Sequence, residues 1–402
     1  MTSNSVQNDK AAAEKAARLE LAKSKLLDGS ITALSIDACI FTENGNRIDE
    51  GIFKHLEQFK EGDFRLVFTE VSLREVHAHI KKEAEEAKNK LVSSLRSVGK
   101  HWSLADSKEN IVDKLIGTDS PKDIASKKVD NFVRRCGAEI IEATGTVDLK
   151  VLLKRYFDTQ PPFENSAEKK SEFPDAIAML SLDGWAEKNA TSVIFVTKDK
   201  GCKRYCAESK FIYSLDSLSD ALSLIQERDK HCIQLCWAIE TKIAEGAYSD
   251  LDQRIADIVG DNIWRIDWEV DASAAYYFNE ELNDIELVNA NFDCVDGKPS
   301  LRAVDYCKDL LVVQSTIEVE IDATCDFSFA VKDGIDHDMV DIGSASVTSR
   351  DTVKLDILLT FENPNDDLPV LSEIELVPGR RSIDFGCVEP DYGDENQNSE
   401  YY

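Results

Sequence analysis

"EFPDAIAMLSLDGWAEKNATSVIFVTKDKG", Glu172–Gly201, places a helix and a strand in immediate succession. Ile177, Ala178, Leu180, Leu182, Trp185 and Ala186 supply the apolar face of a buried helix. "SVIFVT", Ser192–Thr197, is a short unbroken apolar run, as expected of a strand covered on both faces. Carboxylates stand at both ends of this unit. Glu172 and Asp175, three apart and on one helical face, open the helix. Asp199 follows the strand. A helix start and a strand end lie close together in a sheet packed with helices, so these acids converge unless the chain keeps them apart.

Working outward, the same alternation repeats. "ITALSIDACIF", Ile31–Phe41, is apolar on both parities and reads as a doubly covered strand. "FRLVFT", Phe64–Thr69, is a second strand. The long amphipathic helix that follows has Val71, Leu73, Val76 and Ile80 near the helical period. Residues 100–160 read as helices with a short strand at "AEIIEAT", and "QPPFENSAEKKS" is a Pro-containing loop. A last short strand, "FIYSL", spans Phe211–Leu215. Strands alternating with helices predict a parallel sheet with helices on both faces.

The pattern changes after Asn262. Residues 217–262 read as a helical connector. "IWRIDWEVD", "TIEVEIDATCDFSFAV", "TVKLDILLTF" and "SEIELVPG" then alternate apolar with acidic residues. That alternation marks antiparallel strands with one wet face, hence a β-sandwich-like accessory domain over 263–388. Residues 389–402 form an acidic tail, and residues 1–30 a helical extension before the α/β domain of 31–216.

Charge follows this division. The net charge is −29, and residues 1–230 hold 36 Lys and Arg against 38 Asp and Glu, leaving 11 against 38 for the remainder. The first part can approach a polyanion; the second repels one. No apolar run is long enough to cross a membrane, and the first residues show no secretory pattern. The 10 cysteines are too sparse for a disulfide scaffold, so they read as reduced thiols of a cytoplasmic protein.

In a parallel α/β sheet, function gathers at the carboxyl ends of the strands. Asp37 and Asp199 follow two such strands, Glu75 lies early in the helix after a third, and Asp175 opens the helix quoted above. Each has a plain structural reading: a helix's first turn favours acids, and Asp199 precedes a glycine as turn residues do. Asp37 is hardest to read that way. An Asp flanked by "LSI" and "ACIF" costs several kcal/mol, on the order of 2–7, if buried without partners. Clustered carboxylates resist ionising unless a cation neutralises them. A hard ion that prefers oxygen, Mg²⁺ or Mn²⁺, is the economical choice.

"SIDACIF", "FTEVSLREVHAHI", "EFPDAIAMLSLDGWA" and "VIFVTKDKGCKRYC" together resemble the PIN domain superfamily, over roughly Ile31–Leu215. The resemblance implies a parallel α/β/α sandwich and a metal-dependent nuclease, most often an endoribonuclease, with DNA the less frequent substrate. Residue by residue, it implies that Asp37, Glu75, Asp175 and Asp199 are the catalytic, metal-holding acids. Thr197 matches a hydroxyl position just before the last acid, and Glu172 is a further supporting candidate. The stretch between Glu75 and Asp175 is longer than in minimal members of the superfamily, and the acidic β-rich part lies outside the resemblance.

Other groups are weaker candidates. "GCKRYC" and "HCIQLC" space their thiols poorly for zinc, so Cys202, Cys206, Cys232 and Cys236 read as buried free thiols. His77 and His79 read as part of a solvated helix face. Lys198, Lys200, Lys203 and Arg204 bracket Asp199 and are candidates to contact a nucleic-acid backbone, as are the pairs Lys127-Lys128, Arg134-Arg135, Lys154-Arg155 and Lys169-Lys170. No phosphate-cradling glycine motif occurs. The partners expected are an RNA or DNA substrate and an unidentified protein for the acidic β domain. The alternative is an inactive scaffold of the same fold whose β domain does the binding.

Overall fold

The computed structural model describes residues 17–103, 106–164, 171–332 and 339–391. The first part of the N-terminal extension, the pair Lys169-Lys170 and the tail from residue 392 onward lie outside the described residues. The chain divides into two compact units, Met1–Lys230 and His231–Tyr402.

In the first unit, a helix over 17–27 (α1) precedes β1 (Ile31–Ile36), α2 (Ala38–Glu43), a 3-10 helix (Gly51–Phe59), β2 (Arg65–Thr69) and α3 (Glu70–His101). α4 (Lys108–Ile116), α5 (Pro121–Cys136), β3 (Glu139–Ile141), α6 (Leu149–Phe157) and α7 (Phe173–Lys188) follow. The unit closes with β4 (Ser192–Val196), α8 (Lys200–Glu208), β5 (Ile212–Leu215) and α9 (Leu218–Gln226). The five strands form one sheet in the order β3-β2-β1-β4-β5, every neighbour parallel. Strand order reverses between β1 and β4, which makes their carboxyl ends the topological switch point.

Both faces are buried, as unbroken apolar strands require. Ala33, Val67, Val193 and Phe195 pack with Met179, Leu182 and Trp185 of α7 and Tyr205 of α8. Their neighbours Leu34, Ile36, Phe68 and Val196 are equally buried, and Phe68 meets Phe41 and Phe132 from the other side. β1 is shorter than its apolar run. The strand stops at Ile36, and Ala38–Glu43 turn into a helix with Asp37 at its N-cap. A run apolar on both parities suits a buried strand and a buried helical turn alike, so periodicity did not mark the change.

The second unit begins with helices. α10 (Lys230–Ala244) and α11 (Leu251–Asn262) precede β6 (Asp267–Ser273), β7 (Tyr277–Phe292), the two-residue strands β8 (Cys294–Val295) and β9 (Lys298–Pro299), and β10 (Arg302–Cys307). β11 (Leu310–Lys332), β12 (Met339–Glu362), β13 (Val370–Val377) and β14 (Arg380–Cys387) follow. β7, β10, β11, β12 and β13 form an antiparallel sheet. β11 and β12 pair from Leu310↔Glu362 to Lys332↔Met339. β6 does not join that sheet; it pairs in parallel with β14. The alternation in "IWRIDWEVD" identified a strand but not its partner, which comes from the far end of the unit.

The helices expected to connect the two parts divide between them. α9 lies in the first unit. Leu235, Ile239, Leu251, Ile255 and Val259 of α10 and α11 share one core with Ile317, Val319, Phe327 and Phe385 of the second. In β11, Ile317, Val319 and Ile321 are wholly buried and Glu318 is exposed, as the alternation predicts. Glu320 and Asp322 are only half exposed, because Arg350 reaches across from β12 and pairs with both.

Candidate active site

The site is assembled at the switch point. The Asp37 amide donates to the Val196 carbonyl at 2.9 Å, one rung beyond the last β1–β4 pair. This bond fixes the carboxylate at the seam between the two strands, where it is only 7% exposed. Thr197, at the end of β4 and fully buried, donates its hydroxyl to Asp37 Oδ2 at 2.5 Å. The same Thr197 oxygen accepts from the Asp199 amide at 3.1 Å. One hydroxyl therefore ties together the acids that follow two adjacent strands.

Cys39 completes this bracket and was not singled out by the sequence. Its thiol donates to Asp37 Oδ2 at 3.2 Å and accepts from the Lys198 amide at 3.5 Å. Burial and the Asp37 charge push its pKa up to about 12, so it stays a protonated donor. The only signal was its position in the first turn after Asp37; the residue type itself announced nothing.

The remaining acids come from helices. α3 starts at a Thr69 cap that accepts from the Ser72 amide at 3.2 Å, which sets Glu75 in its second turn, half-buried. α7 starts at Glu172 with a proline in its first turn, a residue whose fixed φ suits a helix start, and Asp175 follows in that turn. Asp199 caps α8, its Oδ1 accepting from the Cys202 amide at 2.7 Å, and is exposed.

Electrostatics show which of these groups sense one another. Burial holds the Asp37 carboxyl above its usual range, against the hydrogen bonds from Thr197 and Cys39 and with the Asp199 charge adding to it. Burial, then Asp37, raises Glu75. Burial raises Asp175 to about 7, and Asp37, Glu75, Asp199 and Glu172 all push in the same direction. The groups acting most strongly on these three carboxyls include no cation. A set of oxygen donors that repel one another, with no lysine or arginine among them, suits a hard divalent ion. The donors are not drawn into a finished cage: among the described residues, no group of three or more such ligands is close enough to hold an ion. Carboxylates without a counter-charge stand apart, and repulsion of this sign opposes closer approach.

The other candidates take different places. Glu172 lies near enough for its charge to act on Asp175, but its Oε2 accepts from the Glu164 amide at 2.8 Å and so secures the loop before α7. The cations around Asp199 are mostly engaged: Lys198 pairs with Glu43, Lys203 with Asp216 at 2.9 Å and Arg204 with Glu164 at 2.6 Å. Lys200 is exposed. Arg135 pairs with Asp49 and Glu57, Lys127 with Asp119, and Arg155 stacks on Tyr205. The basic groups near the site are thus largely neutralised by acids distant in sequence. Cys202, Cys206, Cys232 and Cys236 are buried thiols outside any disulfide. His77 and His79 bond Ser126 and Thr42.

Among the described residues, no helix is long and apolar enough to cross a membrane. Neither the curated proteins nor the solved structures include a match to the chain. A family model described as PIN domain matches residues 34–201, a span that contains all four acids. With its five-stranded parallel sheet and flanking helices, the segment from β1 into α8 is similar to the PIN domain family, whose members are generally nucleases.

Proposed function

We propose that the chain is a metal-dependent nuclease, most specifically an endoribonuclease, that hydrolyses phosphodiester bonds at the Asp37 site. The observation that carries this reading is the mutual repulsion of Asp37, Glu75 and Asp175, with Asp199 adding to it, and with no cation among the groups acting most strongly on those three carboxyls. Uncompensated clustering of this kind is a standing cost to the fold, and a bound ion relieves it.

Asp37, Glu75, Asp175 and Asp199 would hold Mg²⁺ or Mn²⁺. When bound, such an ion lowers the pKa of a water and stabilises charge developing at phosphorus. The protein's part is positional. Thr197 and Cys39 both donate to Oδ2 of Asp37 and so orient its carboxylate. The Thr197 bond to the Asp199 amide keeps the last acid in register with the first. Without an ion, Asp175 holds a proton up to about neutral pH; with one, it has reason to release it. The acidic second unit, whose charge opposes nucleic acid, is proposed to recognise a protein partner.

The test is cleavage of labelled RNA and DNA of the same sequence, with and without chelator, by the wild type and Asp37→Asn. Metal-dependent cutting of RNA in preference to DNA, abolished in the variant, is the expected result. Cutting indifferent to chelator or to Asp37→Asn overturns the mechanism. Absence of any cutting favours the inactive-scaffold alternative.

A further inference from the structure

We propose that the outer half of α3 is a binding tract for the backbone of a single-stranded nucleic acid that extends away from the site. The identity of the strand as substrate rests on the nuclease reading; the binding itself does not. α3 begins beside the candidate site, and its last buried side chain is Ile80. The 21 residues from Lys81 to His101 hold no buried side chain. At about 1.5 Å per residue, the helix carries Lys100 roughly 38 Å along the axis from Glu75.

Charge along that length is not uniform. Near the site the helix neutralises itself, with Lys81 paired to Glu85 and Lys82 to Glu86. From residue 87 to residue 105, "AKNKLVSSLRSVGKHWSLA", there is no acid at all, but Lys88, Lys90, Arg96 and Lys100. Among the described residues none of these four has an ion-pair partner, unlike Lys198, Lys203 and Arg204 near Asp199. Lys88, Arg96 and Lys100 recur at i, i+8 and i+12, within roughly a third of the helix circumference. Leu91, Leu95, Val98 and Trp102 line a separate side, and α4 packs on this helix. Trp102, at the end of the tract, is 68% exposed.

In a chain of net charge −29, an unpaired one-signed run of this length stands out. Unpaired lysines and an arginine along an exposed helix suit a row of phosphates, and an exposed indole offers a base a stacking surface. The tract continues from the candidate site on the same helix that carries Glu75, so one strand can engage both.

The experiment compares wild type with the variant Lys88→Gln, Lys90→Gln, Arg96→Gln, Lys100→Gln. Glutamine removes the charge while keeping a polar side chain of similar helix propensity at these exposed positions. Binding to a single-stranded RNA of about 30 nucleotides and to a hexanucleotide is followed over a range of salt. The variant is expected to bind the long strand at least tenfold more weakly. The slope of log K against log salt should become shallower by about 3, since each phosphate contact on a single strand contributes about 0.7. The hexanucleotide should bind both proteins alike. Unchanged affinity and slope on the long strand, or equal loss on both strands, overturns the tract. Unchanged strand binding with loss of binding to phosphatidylserine vesicles assigns it to a lipid surface and likewise overturns it. Cleavage of the hexanucleotide by wild type but not by Asp37→Asn tests the nuclease reading separately. Its failure, with tract-dependent binding intact, removes the catalytic reading and leaves the tract.

Discussion

Asp37 carries more of the site than any other side chain, because it is buried, doubly hydrogen-bonded and faced by other acids. Asp37→Asn keeps its shape and removes its charge. Nuclease activity should fall at least about 100-fold, beyond the loss typical of groups that only support metal ligands. The apo thermal midpoint should hold or rise, since repulsion is relieved. Lowered stability with normal Mn²⁺ binding would mark a structural Asp instead. Cys39 permits a finer test. Cys39→Ala removes a donor to Asp37 Oδ2 and should weaken Mn²⁺ binding by about 10-fold, whereas Cys39→Ser, which retains a donor, should stay near wild type. Calorimetric titration of Mn²⁺ into the three proteins decides; equal affinities show that the thiol does not orient Asp37.

Asp175 also sets a pH dependence. Its folded pKa, about 7, lies above the ordinary aspartate value of 3.8. The folded protein therefore binds the proton more tightly than the unfolded chain does. Its contribution to stability is complete below about 3.8 and is lost as pH rises through about 7. Asp37 and Glu75 are shifted in the same direction. In chelator, the thermal midpoint of the wild type should decline between pH 4 and 7.5 more steeply than that of Asp175→Asn. The difference should be on the order of 1–2 kcal/mol after solvent screening. Parallel pH profiles for the two proteins would show that Asp175 is not held protonated.

At the scale of elements, the end of β4, the start of α8 and the loop before α7 act as one joint. A Cβ at Gly201 would stand 2.6 Å from the Pro162 carbonyl oxygen and 3.1 Å from Asp199 Oδ1. Backbone cannot yield as a flexible side chain does, so Gly201→Ala must move either α8 or the loop. The cost should be about 1–3 kcal/mol, as for other overpacked sites. Asp199 should move with it, so Mn²⁺ affinity should fall together with the thermal midpoint. A variant with wild-type midpoint and affinity would show that this close approach is not required. The same scale explains the half-covered acids of β11: Glu320 and Asp322 face solvent on their strand, and Arg350 of β12 lies over them. Alternation sets which face they occupy, while the cross-strand neighbour sets how much water they see.

At the scale of the whole molecule, the division at Lys230 has a thermodynamic consequence. A chain ending after Lys230 retains the first unit with its own core. One ending after Asn262 retains α10 and α11 but loses the sheet against which Leu235, Ile239, Leu251, Ile255 and Val259 are buried. Exposing such side chains costs about 1.5–3 kcal/mol each. The shorter fragment should melt cooperatively and remain monomeric, and the longer one should aggregate or show a disordered C-terminal segment. Amide hydrogen exchange and sedimentation of the two fragments provide the comparison. A well-folded longer fragment with protected α10 and α11 amides would place the division elsewhere.

The sequence by itself determined the two architectures and singled out the candidate acids. Unbroken apolar strands between helices are stable only when both faces are covered, and strict alternation is stable only with one face wet. Such strands can close only a few ways, and each acid sat at an element end that a parallel sheet brings to one rim. What depends on groups remote in the chain was left to the tertiary structure. Cys39 joins the hydrogen bonds at Asp37 because Asp37 Oδ2 and the Lys198 amide lie around its sulfur. Lys198, Lys203 and Arg204 look free in sequence and are neutralised by Glu43, Asp216 and Glu164. β6 finds its partner in β14, more than a hundred residues later. Hydrophobic period is a local property and is legible in a window of residues; charge pairing and strand pairing are set by which distant groups the fold brings within a few ångströms.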